Sequence, residues 1–130
     1  MIVVDTSALV DVLLRLPSAT RLEARLFDGG ESLHAPHLID LEVLQVLRRF
    51  VGNDRRHEER AALALLDMQA LPIVRYPHGP LCARIWQLRG NVTAYDAAYL
   101  ALAEVLGCAL VTKDARLADA PGHRARVEVL

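Results

Sequence analysis

Asp5, Glu42, Asp96 and Asp114 stand apart from the other acidic side chains of this sequence because of the apolar residues around them. Asp5 directly follows Ile2-Val3-Val4, a β-branched run that reads as a short buried strand. Asp114 comes just after a similar run, Ala109-Leu110-Val111-Thr112. If the two runs are parallel neighbours, both acids emerge on the C-terminal edge of a sheet, where open α/β folds bind ligands. Each could instead cap the helix that follows it. Asp96 has Tyr99, Leu100 and Ala103 as its same-face neighbours on a helix, an apolar setting that is costly for an unpaired carboxylate. The alternative there is a capping box, with Thr93 as N-cap and Asp96 answering it in the first turn. Glu42 is flanked by Leu38, Ile39 and Val46, with Gln45 and Arg49 as its ordinary polar partners.

Carboxylates that converge in a cleft are how proteins hold hard cations such as Mg²⁺ and Mn²⁺. A bound ion offsets their mutual repulsion, generates a hydroxide near neutral pH and stabilises charge on a phosphodiester. Zinc would call for histidine or thiolate clusters, and neither the histidines at 34, 37, 57, 78 and 123 nor Cys82 and Cys108 have ligand spacing. The other acids have simpler explanations. Glu58, Glu59 and Asp67 lie on a solvated helix face, and Asp11 precedes Arg15 at the spacing of a surface ion pair. Asp28, Glu31, Asp54 and Asp119 occupy turns or helix starts, and Asp40 points about 200° away from Glu42 on a helix.

The elements that must position these acids alternate along the chain. Strands are expected at Ile2–Val4, Ser32–Ala35, Ile73–Tyr76, Ala109–Thr112 and Arg126–Leu130. Helices are expected over Ser7–Arg15, from a capping box at Thr20–Glu23 to Gly29, over His37–Val51 and over Asp54–Leu71. Others follow over Leu81–Leu88 and Thr93–Leu106, and a short one falls within Lys113–Ala120. Strands separated by helices predict an α/β fold with a mainly parallel central sheet. At 130 residues, with no linker or repeat, residues 1–130 read as one domain.

Hydrophobic residues make up 53% of the chain, which suggests an apolar surface for a partner in addition to a core. The net charge of −1 removes any argument for nucleic-acid binding from overall charge. Lys113 is the only lysine, and the remaining basic residues are arginines, which suit bidentate phosphate contacts. The N-terminus shows neither a signal peptide nor a membrane anchor, and the cysteines read as reduced thiols, so a soluble cytoplasmic protein is expected.

Asp5-Thr6-Ser7-Ala8-Leu9 after an N-terminal strand resembles the opening of the PIN-domain ribonucleases, especially the toxins of VapBC-type toxin–antitoxin modules. The run Pro36 to Leu47, which holds Glu42, resembles the family's second motif. Tyr95 to Ala103 resembles the third and Leu110 to Leu117 the fourth, in family order and across essentially the whole chain. The resemblance implies a PIN-like three-layer fold in which Asp5, Glu42, Asp96 and Asp114 bind one or two Mg²⁺ or Mn²⁺ ions. Thr6, Ser7 and Thr112 match polar positions that support the carboxylates or bound water, and Asp119 lies close enough to compete with Asp114 for the fourth position. It also implies endonucleolytic RNA cleavage by metal-activated water, leaving a 5′-phosphate and a 3′-hydroxyl. The partners it implies are an RNA substrate, a cognate antitoxin and a second copy in a homodimer.

Two rivals remain on the sequence. A haloacid-dehalogenase-like phosphatase using Asp5 as nucleophile would want a second acid where Ser7 stands. A non-catalytic RNA- or protein-binding module would keep the fold without needing the acidic set.

Overall fold

The computed structural model describes residues 1–130. Five strands, β1 (Ile2–Val4), β2 (Leu33–Pro36), β3 (Ile73–Tyr76), β4 (Ala109–Thr112) and β5 (Arg126–Val129), form one sheet in the order β3-β2-β1-β4-β5. Every neighbouring pair is parallel, as the alternation of strands and helices predicts. Every residue of β1, β2 and β4 is buried, so the middle of the sheet is covered on both faces. That is why β1 and most of β4 carry continuous apolar runs rather than alternating ones, while β2 includes the buried His34.

The helices supply the cover. α1 (Thr6–Leu13) packs against β4 and joins α3 (Leu38–Val51) and α4 (Glu58–Ala70). Between α1 and β2 comes α2 (Ala19–Glu23), which runs on into a π-helical turn at Ala24–Asp28. α5 (Cys82–Gln87) lies on α6 (Ala94–Leu106), and α7 (Ala115–Asp119) packs beside β5. α6 packs on β1, β2 and β4, and Ala97 to Ala103 are all buried. Its alanines let the backbone approach the sheet closely, and it ends at Gly107, whose φ of 63° is a left-handed cap that favours glycine.

The capping box expected at Thr20 does not form. The helix begins one residue before Thr20, at Ala19, with Ser18 as an N-cap that makes no side-chain capping bond. Pro17 ends α1's exit loop so close to Ala19 that Thr20 already lies inside the helix, where its hydroxyl cannot cap. No helix is long and apolar enough to cross a membrane.

Candidate active site

After β1 the chain leaves for β2 on one side of the sheet, and β4 returns on the other side of β1. The gap between β1 and β4 is therefore a topological switch point, where a crevice opens at the C-terminal ends of the strands. Asp5 and Asp114 both emerge there. Asp5 caps α1 and lines the crevice at once, so its two possible roles coincide. Its Oδ1 accepts from the Ala8 amide at 3.1 Å and from Ser7 Oγ at 2.7 Å. Its Oδ2 accepts from Thr112 Oγ1 at 2.6 Å. The side chain is only 7% exposed, and burial pushes its carboxyl above the usual carboxylate range. The bonds from Thr112, Ser7 and Ala8 pull it back, and the neighbouring Glu42 adds a smaller upward push.

Glu42 does not pair with Gln45 or Arg49. Its Oε2 accepts from Thr6 Oγ1 at 2.6 Å and from Tyr99 Oη at 2.7 Å. Each hydroxyl has one proton and both protons go to the same oxygen, which brings the two hydroxyl oxygens to 3.0 Å. Tyr99 is 2% exposed, and burial raises its hydroxyl far above the ordinary phenol range, so it remains a donor at any physiological pH. On the sequence Tyr99 belongs to the apolar face beside Asp96 and to the third motif, with no polar role of its own. The available signal was its type, because a buried tyrosine needs a partner for its hydroxyl and phenylalanine does not.

Asp114 caps α7 by accepting from the Arg116 amide at 2.9 Å, and the Arg116 guanidinium grips both its oxygens at 2.7–3.2 Å. That grip holds its carboxyl below the usual range. Asp114 lines the crevice, whereas Asp119 sits exposed at the far end of α7. Asp96 stands in the first turn of α6, where Thr93 Oγ1 accepts from its amide at 3.1 Å. Only half of the expected capping box is made: no bond returns from the Asp96 carboxylate, which faces the crevice without a hydrogen-bond partner.

The result is an open cleft of about 1030 Å³ lined by all four acids, together with Thr6, Ser7, Gln45 and Arg49. It also holds a fifth acid. Asp11, expected to pair with Arg15 on the surface, is buried instead and takes Lys113 and Ser18 as partners. Arg15 is a helix-exit residue with a φ of 52° and forms no ion pair, so the i,i+4 geometry is lost where α1 stops at Leu13. The Lys113 amide also donates to Ser7 Oγ at 2.9 Å, which ties the β4 exit to α1.

As the side chains stand, no three carboxylates, histidines or thiolates close on a common point. The donor set nevertheless fits a hard divalent cation. It is all oxygen, Asp96 is unpartnered, and the buried Asp5 carries a charge that its surroundings disfavour and a cation would favour.

The PIN domain family model matches residues 2–122. VapC ribonuclease Mb0985 of Mycobacterium bovis is 47% identical over 119 residues, which cover 92% of this chain and 90% of that protein. Ribonuclease VapC12 of Mycobacterium tuberculosis is 38% identical over 130 residues, covering 100% of this chain and 99% of that protein. Among solved structures, Mycobacterium tuberculosis VapC20, described as a sarcin-ricin loop cleaving toxin, superposes with a TM-score of 0.71 at 16% identity, over 95% of this chain and 97% of that one. DNA-bound VapBC from Salmonella typhimurium gives a TM-score of 0.69 at 18% identity, over 98% and 96% of the two chains. At those identities the structural likeness concerns the fold alone.

Proposed function

The chain belongs to the PIN-domain family, and from that premise we propose that it is a metal-dependent endoribonuclease acting as the toxin of a toxin–antitoxin module. The observation that carries the reading is the cleft at the β1–β4 switch point, which Asp5, Glu42, Asp96 and Asp114 line among hydroxyl donors. These four acids would hold Mg²⁺ or Mn²⁺. Such an ion supplies a water-derived nucleophile near neutral pH and stabilises charge on the phosphodiester. The protein's own part is to hold the acids in place. Thr112 and Ser7 orient Asp5, while Thr6 and Tyr99 orient Glu42. Asp96 is set at the cleft by the Thr93 cap and keeps its carboxylate free. The products are a 5′-phosphate and a 3′-hydroxyl.

The names of the relatives support RNA as substrate, and solved VapBC and FitAB complexes among the structural neighbours support an antitoxin partner. A homodimer working in the cytoplasm completes the reading. Cleavage of total RNA by partner-free protein with Mn²⁺ or Mg²⁺ tests it, beside chelator and Asp96→Asn controls. Discrete fragments that vanish in both controls are expected. Folded, metal-loaded protein that binds RNA without cutting it would make the chain a binding module instead.

A further inference from the structure

Asp96 and Asp114 form a wall shared by two depressions. On one side is the active cleft, and on the other a groove of about 920 Å³ that reaches Arg89 and Arg116. Resting on the ribonuclease reading above, we propose that this second groove and the depression beyond it form a subsite for single-stranded RNA, in which an unpaired base flanking the cut stacks on Trp86.

The charge distribution points the same way. The cleft holds five acids against two cations, Arg49 and Lys113, and Asp11 already engages the lysine. A polyanion therefore gains little attraction there apart from what a bound cation supplies. The adjoining groove evens the balance, setting Arg89 and Arg116 against the two shared acids. Arg89 forms no salt bridge, and Arg116 extends into solvent from its contact with Asp114. A backbone running past the shared acids meets these guanidiniums next.

Beyond Arg89 lies the aromatic surface. Trp86 is 67% exposed, and the Arg89 guanidinium sits over its ring, 4.5 Å from the centroid. Arg89 Nη1 also donates to the Trp86 carbonyl at 2.9 Å, which holds the two side chains together. They line a further depression with Val92 and Thr93, continuous with the groove through Arg89, Val92 and Thr93. An exposed indole beside a guanidinium that no carboxylate engages is the pairing on which unpaired bases stack while the cation meets a phosphate. A duplex presents no free base face to it, so the occupant is single-stranded.

Trp86 is the only tryptophan in the chain, and its emission therefore reports on this surface alone. The test is to titrate the full-length protein, in chelator to prevent cutting, with a mixed-sequence single-stranded RNA oligonucleotide and with the same RNA as a duplex. Saturable quenching by the single strand and little by the duplex is expected, with several-fold weaker binding for Arg89→Ala. In metal, Trp86→Ala should raise KM for single-stranded RNA about tenfold, and Trp86→Phe should recover most of that loss. RNA that is cleaved while emission and KM stay unchanged overturns the subsite and leaves the ribonuclease reading standing. Quenching without cleavage in metal does the reverse. Emission that shifts with protein concentration and ignores RNA makes the face a contact between copies and overturns the proposal, and protein that neither binds nor cuts RNA overturns both.

Discussion

Replacing Tyr99 by phenylalanine removes one oxygen atom from the interior and leaves the ring where it packs. The lost oxygen is a donor to Glu42 Oε2 at 2.7 Å, and Thr6 at 2.6 Å is then the carboxylate's only remaining side-chain partner. A hydrogen bond to a charged group contributes roughly 1.5–3 kcal/mol. Glu42 is only partly buried and keeps Thr6 and some water, so the low end applies, about 1.5 kcal/mol. For a chain of this length that lowers Tm by roughly 5 °C, readable by calorimetry or circular dichroism in chelator. Because burial raises the Tyr99 hydroxyl far above the phenol range, the loss should stay constant from about pH 6 to pH 9. RNA cleavage should fall roughly tenfold, as when an outer partner of a metal-holding carboxylate is removed, and partly recover at higher metal concentration. A double-mutant cycle with Glu42→Gln isolates the contact and should return about 1 kcal/mol of coupling. If Tyr99→Phe costs the same in the wild-type and Glu42→Gln backgrounds, the hydroxyl does not act through the carboxylate and the account of this anchor fails.

Lys113→Met leaves the buried Asp11 carboxylate with Ser18 alone and should cost about 1–2 kcal/mol in urea melts, discounted because the lysine is partly exposed. Arg15→Gly should stabilise by up to about 1 kcal/mol, because residue 15 has a left-handed φ and no ion pair to lose; clear destabilisation would restore the Asp11–Arg15 pairing. Glu104 accepts from Arg84 Nε at 2.7 Å, from Arg84 Nη2 at 2.9 Å and from the Arg124 amide at 2.7 Å, and the Arg84 bond above all holds its carboxyl low. A lowered carboxyl stabilises above its unfolded value, near 4.3, and that contribution disappears as pH falls through the folded value. Glu104→Gln should therefore lower Tm at pH 7 and converge with the wild type below about pH 4; a gap that persists in acid would refute the ionic cause. Arg116→Ala releases both oxygens of Asp114, so Mn²⁺ should bind several-fold more tightly by titration calorimetry, and unchanged or weaker binding would remove Asp114 from the proposed cation set.

Much of the architecture follows from local pattern. The apolar runs at Ile2–Val4 and Ala109–Thr112 are continuous because both faces of those strands are covered, and that continuity was enough to mark them as central. The stop signals worked for the same local reason: Gly107 ends α6 because the cap needs a left-handed residue, and Thr93 begins it by accepting from the Asp96 amide. The motifs carrying the family resemblance are likewise strings of adjacent residues. Once the sheet is parallel, the meeting of Asp5 and Asp114 at one edge follows from chain order.

What local pattern could not supply is the partner of each buried polar group. Spacing assigns partners along one helix face, which pairs Asp11 with Arg15, and Glu42 with Gln45 or Arg49. In the folded chain, Asp11 takes Lys113 and Glu42 takes Thr6 and Tyr99, while Asp5 takes Thr112 from the neighbouring strand's end. The reason is desolvation. A carboxylate on a solvated face can share its local cation with water, but one drawn into the crevice loses part of its water, and where burial is deepest it is met by donors that tertiary packing brings from distant segments. Sequence therefore determined four of the five acids of the cleft, where the sheet would present them and the local caps at Asp5, Asp96 and Asp114, and the fold alone decided the burial of Asp11 and the distant donors that hold Asp5 and Glu42.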